Sequence, residues 1–109
     1  FLPNAAQRIV IANPSAYVWP GRGERFPYGF GGLPEALSGD AAIRRYLAQP
    51  VTLLLGTEDT RRDAQLGVQE GAERQGANRH QRGLNVFHAA RQAALDRGWA
   101  FNWRLVEVP

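Results

Sequence analysis

Residues 51–60 read VTLLLGTEDT, five residues without a charge, then a glycine, then two adjacent acids. An uncharged run of this length, rich in leucine, reads as a buried strand of a parallel sheet. Gly56 lets the chain turn sharply at the end of that strand. Asp59 is then offered beyond the strand's C-terminal end, where open α/β sheets gather their chemistry. Its neighbour Glu58 is expected to point elsewhere, toward solvent or a cap. Asp is also common in loops for local reasons, its carboxylate capping the turn that follows. Pattern alone leaves Asp59 open between the catalytic and the capping role.

Two further runs read as strands. RIVIA, Arg8 to Ala12, is a short β-branched run closed by Asn13-Pro14, and its continuous apolar character suits a strand covered on both faces. AFNWRLVEVP, residues 100–109, alternates Phe101, Trp103 and Leu105 on one side. Between the first two strands lies a stretch dense in proline, glycine and aromatics, whose punctuation suggests a structured excursion. It leads into PEALSGDAAIRRYLAQ, residues 34–49. That segment reads as two short helical pieces, Ser38 or Asp40 capping the second and Ile43, Tyr46 and Leu47 lining its inner face. Residues 60–81 are polar without a clear period, a surface loop with a helical turn. QRGLNVFHAARQAALDRG, residues 81–98, is the best helix, with Leu84, Phe87, Ala90 and Ala94 on one face and Gly98 as its stop.

Strands alternating with helices predict an α/β architecture with parallel strands. Three strands make a poor sheet, since both faces need cover and both edges need pairing. The arrangement reads as the second half of a larger sheet, and exposed edges would promote self-association.

Composition narrows the functions available. A chain of 109 residues with 44% hydrophobic content fits one globular domain. No apolar run approaches the roughly 20 residues that span a bilayer, so no membrane span is expected. The absence of cysteine excludes disulfides, thiolate catalysis and cysteine-based zinc sites. His80 and His88 show no metal-ligand spacing, so neither a metal nor a cofactor is expected. All 13 basic residues are arginine, dispersed among ten acids in runs no longer than two. Nucleic-acid surfaces cluster their basic residues, so no nucleic-acid partner is expected. Compartment is left open, and the chain begins at Phe1 without a methionine anywhere, so the lack of a visible signal peptide says little.

The serines are Ser15 and Ser38, and neither sits in a Gly-x-Ser-x-Gly elbow. Ser15 follows the first strand and faces the same sheet end as Asp59, either touching a substrate or closing an Asn-Pro-Ser turn. GRGERFPYGFGG, residues 21–32, lacks the lysine and the strand-loop-helix setting of a phosphate loop. Tyr17, Trp19, Phe26, Tyr28 and Phe30 crowd this excursion, as a small satellite core or as the lining of an apolar pocket.

RIVIANPSAYVWP, RFPYGFGGLP, VTLLLGTEDT and GANRHQRGLNVFHAARQAALDRGWAFNWRLVEVP together resemble the C-terminal half of an α/β-hydrolase. The similarity is to bacterial members of the polyhydroxybutyrate-depolymerase and esterase-like branch, and it covers nearly the whole chain. The resemblance implies a serine hydrolase acting on a small-molecule or polymeric ester. Asp59 would be the acid of a Ser-His-Asp triad, residues 17–49 a cap-like excursion, and Ser15, Tyr17 and Trp19 the border of the substrate pocket. The nucleophile elbow and the histidine loop would lie outside residues 1–109, which should be inactive on their own. A second reading is a non-enzymatic α/β interaction module that binds a partner through its aromatic loop. An arginine-mediated nucleic-acid binder ranks third.

Overall fold

A computed structural model describes residues 9–12, 14–63 and 65–109. Arg8 and Asn13, expected at the ends of the first strand, lie outside them. Three strands, β1 (Ile9–Ala12), β2 (Val51–Gly56) and β3 (Arg104–Val108), form one parallel sheet in the order β1-β2-β3. The uncharged run is therefore the central strand, and it is buried as its composition predicts. Val51, Leu53 and Leu55 are at most 1% exposed. Burial stabilises each by roughly 1.5–3 kcal/mol.

The register sorts the sheet into two unlike faces. Ile9 and Ile11 pair with Val51 and Leu53, and Leu105 also pairs with Leu53. This face meets the helices, joining Ile43, Leu47, Val86, Ala90 and Ala94 in one core. The opposite face carries Val10, Val106 and Val108, which are 62%, 38% and 38% exposed, so β1 is covered on one face only and not on both as its apolar run suggests. On that side Arg104 Nε donates to Thr52 Oγ1 at 3.0 Å, and no helix of the described residues covers it. Only the central strand is buried throughout most of its length.

Two short helices, α1 (Glu35–Ser38) and α2 (Asp40–Ala48), follow the excursion as expected. Ile43 and Leu47 are buried and Tyr46 packs against the core. Neither predicted cap forms. Gly39 takes the N-cap position without a side-chain bond, while the Ser38 hydroxyl bonds back to the Leu33 and Pro34 carbonyls. A hydroxyl that finds local carbonyls is lost as a cap.

The polar stretch contains one helical turn, α3 (Glu70–Glu73). The long helix α4 (Arg79–Arg97) begins two residues before the expected segment, because Asn78 caps it by accepting from the Gln81 amide at 2.9 Å. Gly98 ends it at φ 67°, a left-handed position that glycine occupies freely. The buried stripe is Gly83, Val86, Ala90 and Ala94, with Phe87 beside it. Leu84 is only half-buried, off the face assigned from spacing. Close approach explains the rotation, since a Cβ on Gly83 would stand 2.5 Å from Leu55 Cδ2. Phe101 and Trp103 belong to the core but precede β3, which starts at Arg104.

Candidate functional site at the C-terminal ends of the strands

The loop after β2 is tied at short intervals. The Thr57 amide donates to the Val108 carbonyl at 2.7 Å, and the Asp59 amide to the Gly56 carbonyl at 3.1 Å. The Asp59 carbonyl accepts from the His80 amide at 3.2 Å. The ends of β2 and β3 and the first turn of α4 thus hold Asp59 together. Its carboxylate is 28% exposed. Glu58, by contrast, occupies an exposed turn.

Arg79, the first residue of α4, grips Asp63 with Nη1 at 2.8 Å and Nη2 at 3.1 Å. Its Nη1 stands 3.9 Å from Asp59 Oδ1. The Arg79 hydrogen bond holds the Asp63 carboxyl below the usual carboxylate range, and Asp63 in turn raises the Arg79 guanidinium above its ordinary value. Beside them His80 Nε2 lies 2.7 Å from Glu107 Oε1, linking α4 to the end of β3.

A second arginine fastens the loop that follows β1. No part of the Arg82 side chain is exposed. Its Nε donates to the Gly76 carbonyl at 2.8 Å, Nη1 to the Ser15 and Gly67 carbonyls at 2.7 and 3.0 Å, and Nη2 to Glu73 Oε1 at 2.7 Å. Burial lowers the Arg82 pKa, against the opposing pull of Glu73. Arg62 also binds Glu73, and its hydrogen bond is the main reason that carboxyl lies below its ordinary value. One ionised guanidinium therefore satisfies three partly buried carbonyls, which would otherwise each carry part of a desolvation cost.

The three residues expected to border a pocket occupy different settings. The Ser15 hydroxyl accepts from the Gly67 amide, and its carbonyl is held by Arg82. Tyr17 is buried in the core, its backbone clasped by the Gln75 side chain, which accepts from the Tyr17 amide at 2.8 Å and donates to its carbonyl at 2.7 Å. Burial raises the Tyr17 pKa, keeping the phenol neutral, and its hydroxyl has no hydrogen-bond partner among the described residues. Trp19 packs on the core and lines a cleft of about 120 Å³ with Glu24, Arg74 and Gln75.

The aromatic excursion divides between the main core, which it joins in place of a satellite core, and an open cleft. Tyr17, Trp19 and Phe30 pack on the core, while Phe30 and the exposed Phe26 line an apolar cleft of about 340 Å³ with Val18, Ala42 and Tyr46. Arg45 and Gln49, near the C-terminal end of α2, complete this cleft, which shares no residue with the surroundings of Asp59.

Asp63, Glu73, Gln75, Arg79 and Arg82 were not singled out in the sequence. Their signal was the high charge density of residues 58–82, which also describes an ordinary solvated loop. The pattern Asn78-x-x-Gln81 was the more specific clue, because it marks a helix start beside the strand ends. Among the described residues no group of three His, Asp or Glu side chains could hold a metal ion, and no helix is long and apolar enough to cross a membrane.

No protein-family model and no curated protein matches this chain. Solved structures do. LpqC, a poly(3-hydroxybutyrate) depolymerase from Bordetella parapertussis, superposes with a TM-score of 0.82 at 35% identity, over 94% of this chain and 34% of its own. Poly(aspartic acid) hydrolase-1 from Sphingomonas sp. KT-1 gives a TM-score of 0.82 at 31% identity, over 94% of this chain and 38% of its own. This chain thus spans little more than a third of the length of either. The incomplete cover of its sheet agrees with that proportion: the chain is part of an α/β-hydrolase domain and resembles the polyhydroxybutyrate-depolymerase and esterase-like branch of that superfamily.

Proposed function

We propose that these residues belong to a serine hydrolase of carboxylic esters, with Asp59 as the acid of its triad. The observation that carries this reading is the position of Asp59. It follows the central strand on a short loop, its carboxylate half-buried and its backbone held by β2 and α4. The nucleophilic serine and the histidine would come from the rest of the domain, since neither Ser15 nor Ser38 lies in an elbow motif.

In such a site the histidine removes the serine proton as serine Oγ attacks the ester carbonyl. The histidine then protonates the departing alkoxide, and water cleaves the acyl-enzyme by the same route. Asp59 would accept the N–H of that histidine, fixing its tautomer and stabilising the imidazolium. Residues 17–49 would form a cap-like wall, with Ser15, Tyr17 and Trp19 at the border of the pocket. Tyr17 would serve there through packing, because its hydroxyl faces Gly83 in the core. The solved relatives act on polymers by their names, so an oligomeric ester is the substrate class to try first.

In the intact enzyme, Asp59→Asn is expected to lower ester turnover by about 10⁴-fold while Glu58→Gln leaves it near normal. Normal turnover in Asp59→Asn would remove the assignment, and a large loss in Glu58→Gln with Asp59→Asn still active would move it to Glu58. The alternative of a free-standing interaction module is disfavoured by the bare sheet face at Val10, Val106 and Val108. Parallel sheets are covered on both faces. The isolated 109 residues are accordingly expected to self-associate in size-exclusion chromatography and to show no esterase activity.

A further inference from the structure

On the reading that Asp59 is the triad acid, we infer that Arg79 is its positioning residue. The Arg79 side chain is only 11% exposed, and both terminal nitrogens bind Asp63. A planar fork makes both of those bonds in one orientation. In that orientation Nη1 stands 3.9 Å from Asp59 Oδ1. This is too long for a hydrogen bond and short enough for attraction across a partly buried gap. The next residue, His80, supplies the backbone bond to the Asp59 carbonyl. One helical turn therefore restrains the loop's backbone and faces its carboxylate.

Asp63 gives this arrangement its chemical sense. A guanidinium forked directly onto Asp59 would occupy both carboxylate oxygens and compete with the histidine for them. Asp63 takes the fork instead. Arg79 is left to draw Oδ1 toward α4, and the second oxygen stays free for the histidine N–H. The other polar and charged groups on this stretch are the His80–Glu107 pair, from α4 and β3, and the exposed Glu58, Arg61 and Arg62.

The test measures ester hydrolysis by the intact enzyme in Arg79→Gln and Asp63→Asn, each alone and each combined with Asp59→Asn. Arg79→Gln and Asp63→Asn are expected to lower kcat about tenfold with KM within about twofold, as a misplaced catalytic group does. Arg79→Lys, which keeps the charge without the fork, should recover part of that loss. In the Asp59→Asn background neither change should cost anything more, because both act through Asp59. A kcat loss of the same size in both backgrounds overturns the inference, as does wild-type turnover in Arg79→Gln alongside an inactive Asp59→Asn. Should Arg79→Gln fail to fold, Asp63→Asn on the half-exposed loop carries the same comparison. An active Asp59→Asn, by contrast, removes the triad assignment itself.

Discussion

Where the strands begin, the chain packs aromatic rings; where they end, it packs arginines against carboxylates and carbonyls. At the first end Tyr46 and Trp103 meet edge to face at 5.1 Å, Phe30 meets Tyr46 at 5.4 Å, and Phe101 links Trp103 to Phe87. At the other end Arg79 and Arg82 organise Asp63, Glu73 and three backbone carbonyls. Rings contribute area and tolerate a range of angles. Guanidinium forks contribute less area but fix direction. A site that must aim a carboxylate is better built from the second material, and Asp59 lies at that end.

The largest expected effect separates the ends by function. Asp59→Asn in the intact enzyme should lower kcat by about 10⁴-fold, the scale seen when a triad acid loses its charge. Its melting temperature should stay close to wild type, since the carboxylate is partly exposed and makes no buried bond. A large loss of stability in this variant would break the division between a packing end and a chemical end.

The next pair of variants compares the ends by stability. Trp103→Ala should cost about 3–5 kcal/mol in chemical denaturation, because Trp103 is 6% exposed and its Nε1 also donates to the Tyr46 carbonyl at 3.1 Å. Arg82→Leu should cost about 3 kcal/mol, leaving three carbonyls without their donor and Glu73 with Arg62 alone. A cost below about 1 kcal/mol for Arg82→Leu would place it with ordinary surface ion pairs. Gly83→Ala should cost about 2 kcal/mol by overpacking, since the added methyl meets Leu55 and the Tyr17 hydroxyl.

Acid should have the smallest effect, and not at the polar end alone, since Arg97 and Arg22 also hold the Asp40 carboxyl below its ordinary value. Hydrogen bonds from arginine hold the Asp63 and Glu73 carboxyls below their ordinary values. A depressed folded-state pKa stabilises above the unfolded value, about 4 for these groups, and the benefit disappears as pH falls through the folded value. Stability should therefore decline modestly below about pH 4 in wild type. The decline should be shallower in Asp63→Asn, measured by urea midpoints across that range.

The sheet was legible in particular residues. The uncharged Val51 to Leu55 run marked a buried strand, and Gly56 marked its end. Phe101, Trp103 and Leu105 gave the right core set even though β3 starts only at Arg104. Leu84 was misplaced because helical spacing fixes which residues share a face, not which face turns inward. Gly83 decided that by admitting Leu55. The caps of α2 were misread for a related reason, since Ser38 could bond forward or backward and its neighbouring carbonyls settled the matter.

The candidate site divides along the same line. Sequence by itself determined that an acid follows a buried strand of a parallel sheet, because an uncharged run and a turn-forming glycine are local properties. Only the tertiary structure decided that Glu58 faces solvent while Asp59 faces α4. It alone brought Arg79 to Asp63, 16 residues away, and Arg82 to Ser15, 67 residues away. Those contacts depend on how the helix is rotated and where the loops cross. Both follow from packing the whole core, and no local pattern in a charged stretch records them.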